Sequence, residues 1–108
     1  MTHGASPVAY TVVATFPDVR ARDEYIEWLE DGHIDQVIKG GAHSASIVTL
    51  DRTDPVDPIR VEVRYVFSTR AMLDRYLEHH APALRAEGLA RFGPARGISF
   101  HRTVGEIV

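Results

Sequence analysis

The stretch Ile59-Arg60-Val61-Glu62-Val63-Arg64-Tyr65-Val66-Phe67 alternates with period two. Ile59, Val61, Val63, Tyr65 and Phe67 face one way, and Arg60, Glu62 and Arg64 face the other. A strand with one apolar and one polar face belongs to an antiparallel sheet packed on a core along one side only. Directly after it, Ser68 or Thr69 is placed to cap a helix whose apolar stripe is Met72, Leu73, Tyr76, Leu77 and His80. Pro82 restarts a shorter helical piece through Leu84, Leu89 and Phe92, and Gly93-Pro94 ends it. Period two then returns from about Arg96 to Val104, with Ile98 and Phe100 on one face and Ser99, His101 and Thr103 on the other.

The same order of patterns precedes this stretch. Val8, Tyr10, Val12, Ala14 and Phe16 share one face of a strand. Asp18 is a plausible N-cap, and Ala21, Tyr25, Ile26, Trp28 and Leu29 then recur at helical spacing, which predicts a helix to about Asp31. Gly32 offers a helix end, Ile34 to Ile38 a further turn, and Gly40-Gly41 a stop before a strand near Ala42 to Leu50. Asp51 to Pro58, with two Asp-Pro steps, reads as a polar loop.

The resulting order is β-α-β-β-α-β. With right-handed crossovers it predicts an α+β, ferredoxin-like fold: a four-stranded antiparallel sheet with two helices on one face. The other face would carry Thr11, Val13, Ser46, Val48, Leu50, Arg64, Val66 and His101. That set is too mixed for a wet surface and too polar for a dry core, so two copies pairing their sheets in a homodimer are expected.

At 108 residues the chain has room for one domain, taken as residues 8–108 behind a flexible N-terminus, residues 1–7. Hydrophobic residues at 44% and charged residues at 25% are near the globular average, which argues against disorder and coiled coil. Cysteine is absent, so disulfides, thiolate metal sites and thiol nucleophiles are excluded. The sequence has no bilayer-spanning apolar run, and Met1 to Pro7 has no signal-peptide pattern; a cytoplasmic protein without a membrane partner is expected. Residues 1–58 carry four basic and ten acidic side chains, and residues 59–108 eight and five. This overall acidic chain with scattered arginines supplies no basic face for phosphates, so no nucleic-acid partner is expected. The asymmetry fits complementary surfaces between two copies, a basic pocket for an organic anion, or plain solvated charge. Gly40-Gly41 opens a strand rather than a helix and so makes no phosphate loop, and Gly4-Ala5-Ser6 is not a nucleophile elbow.

Chemistry is therefore left to histidines, carboxylates, arginines and aromatic rings. His33 follows a helix whose stripe includes Tyr25 and Trp28, which places an imidazole at the mouth of a cavity between helices and sheet. The helix C-terminus with Glu30 and Asp31 would favour imidazolium, while burial against Trp28 would favour the neutral ring. Its role is thus open between acid and base, and a helix-capping histidine is the structural alternative. His80 lies on the apolar stripe, placed either to assist at the same cavity or simply to pack; His79, its neighbour, points about 100° away, so the two cannot share one ion. No metal-binding spacing appears, and no metal is expected. Tyr10, Trp28, Tyr65 and Phe92 are candidates to line a pocket for a flat organic molecule, with Arg85 placed to neutralise an acid; ordinary core packing and solvation are the alternatives.

Several segments carry a resemblance that covers nearly the whole chain: Tyr25-Ile26-Glu27-Trp28-Leu29, His33-Ile34, Gly41, Arg64-Tyr65, Tyr76-Leu77-Glu78, Ala81-Pro82-Ala83-Leu84-Arg85, Leu89, Arg91-Phe92-Gly93 and Arg102-Thr103-Val104. Together they resemble a bacterial family of short proteins with no assigned function. The most specific pieces are the spacing from Trp28 to His33 and the stretch Ala81 to Gly93. His43, His101 and Gly32 depart from the family's pattern. The resemblance implies the dimeric α+β-barrel group, whose members include cofactor-free monooxygenases, polyketide cyclases, muconolactone-type isomerases and haem-degrading enzymes. Fold does not select among these chemistries. The expectation is a small-molecule-binding homodimer without a cofactor, haem being the one alternative. If it is an enzyme, it uses His33 for proton transfer on a hydrophobic or aromatic substrate; the rival is a non-catalytic binding or structural module.

Overall fold

A computed structural model describes residues 6–108. Most of the expected flexible start, residues 1–5, lies outside them, and the Pro7 carbonyl accepts from the Ile107 N–H at 2.9 Å. The elements are β1 (Val8–Phe16), α1 (Val19–Trp28), a π-helical turn (Leu29–His33), α2 (Ile34–Lys39), β2 (Ser44–Thr49), β3 (Ile59–Phe67), α3 (Arg70–His79), α4 (Ala81–Arg91), a short 3-10 turn (Pro94–Arg96) and β4 (Ser99–Glu106). The sheet order is β2-β3-β1-β4 with every pair antiparallel, which is the ferredoxin-like α+β arrangement.

Caps set the helix starts. The Asp18 carboxylate accepts from the Ala21 N–H at 2.8 Å, and the Thr69 hydroxyl accepts from the Met72 N–H at 3.2 Å. Each satisfies one of the donors that a first helical turn leaves unpaired. The polar loop before β3 is held by Asp57, which accepts from the Thr53 hydroxyl and from the Thr53 and Asp54 N–H groups.

The alternating residues of β1 and β3 form the core face: Val8, Tyr10, Ala14, Phe16, Val61, Val63, Tyr65 and Phe67 are all buried. Tyr25, Trp28 and Leu29 from the first helical segment, Val37 from α2, and Leu73, Tyr76 and Ala81 close over them. Among the described residues no helix is long and apolar enough to cross a membrane.

Two boundary expectations and one burial expectation are corrected. The first helix ends at Trp28 rather than Asp31, and Gly32 kinks the chain at φ 125° without stopping it. The last strand begins at Ser99, because Pro94–Arg96 forms a tight turn closed by Gly97 at φ 74°, and it runs on to Glu106. Met72 and His80 were expected on the apolar stripe of the second helix; both are exposed, since that helix buries a narrower line through Leu73 and Tyr76.

Candidate functional site

The π-helical turn positions the most informative residue. Residues five apart on an α-helix point about 140° apart, so Trp28 and His33 would not meet. Widening the turn by one residue, with the Ile34 N–H bonding the Leu29 carbonyl, brings them together. Their rings stack at 4.0 Å between centroids and 23° between planes. Gly32 makes the geometry accessible, because its positive φ is strained for a residue with a Cβ.

His33 and Trp28 form one side of a cavity of about 40 Å³ between the helices and the sheet. Tyr10, Val12 and Tyr65 rise from the sheet, Tyr25 and Tyr76 come from α1 and α3, Leu84, Arg85, Gly88 and Leu89 from α4, and Phe100 and Arg102 from β4. All four tyrosines of the chain and its single tryptophan therefore line one cavity. Tyr10 lies against Tyr65 and Tyr76, each at 6.1 Å between centroids. Tyr25 packs on Trp28 at 5.9 Å and edge-on to Phe92 at 5.4 Å.

The electrostatics are uneven. Burial lowers the His33 pKa to about 4, so the ring is neutral at pH 7, and its Nδ1 is buried with no hydrogen-bond partner among the described residues. Burial pushes the Tyr25 and Tyr65 hydroxyls well above the ordinary tyrosine value, and the Tyr76 hydroxyl up to about 12. The phenols are thus neutral hydrogen-bonding groups. The Arg85 guanidinium donates to the Tyr10 hydroxyl at 2.9 Å. The Arg102 guanidinium sits 5.7 Å from the Phe100 ring centre. Among the described residues no aspartate or glutamate lines the cavity.

Of the expected site residues, His33, Tyr10, Trp28, Tyr65 and Arg85 come together at this cavity. Phe92 does not reach it; it stands behind the wall, packed against Trp28 and Tyr25. His80 is not part of the cavity. It is exposed, parallel to the Tyr76 ring at 6.3 Å and close over Gly40. The helix-capping reading of His33 is also corrected, since the imidazole makes no hydrogen bond to a helix terminus.

Sequence reasoning missed Arg102, and it set Tyr25 and Tyr76 beside the cavity histidines without counting them among the lining candidates. For Arg102 a signal was present: it lies two residues beyond Phe100, so the strand alternation puts a cation on the core face. For the tyrosines no local signal separates a cavity wall from ordinary core.

Solved structures share the fold at low identity. A dimeric ferredoxin-like protein from an uncultured marine organism superposes with a TM-score of 0.70 at 15% identity, covering 95% of this chain and 96% of that one. A hypothetical protein of Arabidopsis thaliana gives 0.68 at 15% identity over 100% and 94%. An ethyl tert-butyl ether d family protein of Bacillus halodurans gives 0.65 at 10% identity over 93% and 99%. No curated protein matches the chain. A family model does: that described as "Domain of unknown function (DUF4286)" matches residues 10–107, and the chain belongs to that family.

Proposed function

We propose that this protein is a homodimeric, cofactor-independent binder of a small aromatic molecule, and that its cavity carries out proton transfer with His33 as the acceptor. One observation carries the reading: a neutral imidazole with an unpaired buried nitrogen stands against Trp28 in a cavity walled by every tyrosine of the chain. A buried polar atom without a partner costs about 1–3 kcal/mol, and a ligand hydrogen bond at Nδ1 would recover that.

The chemistry follows from the charges. A ring with a pKa of about 4 is always in its basic form at pH 7, but it is a weak base. It can take a proton from carbon or oxygen only where the resulting anion is stabilised nearby. Arg85, Arg102 and the tyrosine hydroxyls are placed to do so. The proton moves to the imidazole, and the electron pair stays on the substrate as a delocalised oxyanion, which is the first step of isomerase or cyclase chemistry. A cavity of about 40 Å³ is far below the few hundred of an open ligand pocket, so entry requires a wall to move. The mobile wall in this reading is α4, which buries only Ala81 along its length.

The test begins with a native mass spectrum of freshly purified protein, followed by a phenol titration read by the emission of Trp28. A retained organic mass or a saturable change is expected. Once a retained compound is identified, His33→Gln is expected to lower its conversion by about 100-fold or more with binding kept. Conversion unaffected by that substitution removes the catalytic role. No retained mass and no saturable response would overturn the whole reading.

A further inference from the structure

Resting on that reading, we infer that the cavity takes the carboxylate of a planar aromatic acid, with Arg85 and Arg102 as its cationic partners and the Tyr10 hydroxyl as a neutral donor. The lining holds two guanidinium groups, one neutral imidazole and no carboxylate, so its charge is uncompensated from within. Of the eleven arginines, Arg20 and Arg96 meet Glu24 at 3.6 and 2.8 Å and Arg22 meets Asp23 at 3.0 Å; Arg85 and Arg102 are among those that pair with no acid among the described residues. Arg85 instead bonds a phenol in the cavity wall.

That bond has a direction. The guanidinium donates and the Tyr10 oxygen accepts, which leaves the phenolic hydrogen free to donate elsewhere. A donor whose own oxygen is held by a cation is a stronger donor, and the remaining Arg85 N–H groups keep the fork geometry that suits a carboxylate. Arg102 is brought to the same place by register: it lies opposite Val12 of β1, on the core face. Both guanidinium groups act on the Tyr76 hydroxyl, lowering its pKa against the larger effect of burial, so both charges reach one point of the wall. Trp28, Tyr25 and Tyr65 line the same cavity, and an aromatic wall of this kind favours an aromatic partner for the charge.

The experiment compares benzoate with benzamide, two probes of one shape that differ in charge, with ionic strength held constant by sodium chloride and Trp28 emission as the readout. Benzoate is expected to bind at least tenfold tighter than benzamide. Arg85→Gln and Arg102→Gln, both at exposed positions, are each expected to weaken benzoate about tenfold while leaving benzamide unchanged. Arg64→Gln, on the opposite face of the sheet, is expected to change neither. Equal binding of the two probes, or an equal effect from Arg64→Gln, overturns the inference and leaves the aromatic-ligand reading standing. Absence of a saturable response to both probes overturns the two together.

Discussion

At the scale of a residue, His33 ties stability to pH. Burial lowers its pKa from the ordinary 6.5 to about 4. Between those values the unfolded chain binds more protons than the native one, so stability rises with pH across this window and is lost as pH falls through it. The full linkage is about 3 kcal/mol, and solvent at the half-buried ring reduces it to about 1–2 kcal/mol. His33→Gln abolishes this contribution. Urea unfolding at pH 7 and at about pH 4.5 is expected to show the wild type losing about 1–2 kcal/mol more than the variant. The same loss in both would place the ring in contact with water. This residue was only half legible in the sequence. A histidine after an apolar helix suggests a cavity mouth, but its stack on Trp28 depends on a turn of unusual width, and no residue pattern announces that turn.

At the scale of an element, α2 ends against α3 at Gly40. This glycine has an ordinary φ of −76°, so the constraint is space rather than backbone freedom. A Cβ there would stand 2.9 Å from a Tyr76 ring carbon and 3.1 Å from the His80 ring. Gly40→Ala is expected to cost about 1–3 kcal/mol, read as a fall in Tm of roughly 5–15 °C. His80→Ala removes an exposed ring that does not line the cavity, and it is expected to leave benzoate binding unchanged. The strands were legible because their alternation is long and clean: β3 was read at both ends, and the core faces of β1 and β3 residue by residue. The helix breaks were legible at Gly32 and Pro82, and the further turn and the restarted piece are observed as α2 and α4. The π-helical width of the turn between α1 and α2 was not, because periodicity does not show the extra residue. The cavity itself was legible only in part: the alternation of β4 puts Arg102 on the core face, but its convergence with the two helical tyrosines comes from sheet register and helix packing.

At the scale of the molecule, the open sheet face argues for a second copy. The radius of gyration is 14.5 Å, against about 13 Å for a compact chain of this length, and the body measures 46 × 30 × 20 Å. It is a thin, two-layer slab with helices on one side only. On the bare side Thr11 is already 7% exposed in the single chain, ringed by half-buried Ala9, Val13 and Val66, with Arg64 and Thr103 directly across from it. Val48 and Val104 are 41% and 44% exposed, and Val48 lies on that face, opposite Glu62. A face of this composition is expected to pair with its own copy about a two-fold axis. Light scattering on a sizing column is then expected to give twice the 12.0 kDa chain mass. Val13→Glu sets a second carboxylate beside Glu62. On a wet face such a change costs under about 0.5 kcal/mol and alters nothing else. Inside a dimer it sets like charges together at the centre of the contact, and the variant is expected to run as a folded monomer with an unchanged far-ultraviolet spectrum. A wild type that scatters as a single chain at micromolar concentration would refute the pairing, and a Val13→Glu variant that stays dimeric would move the interface to another surface.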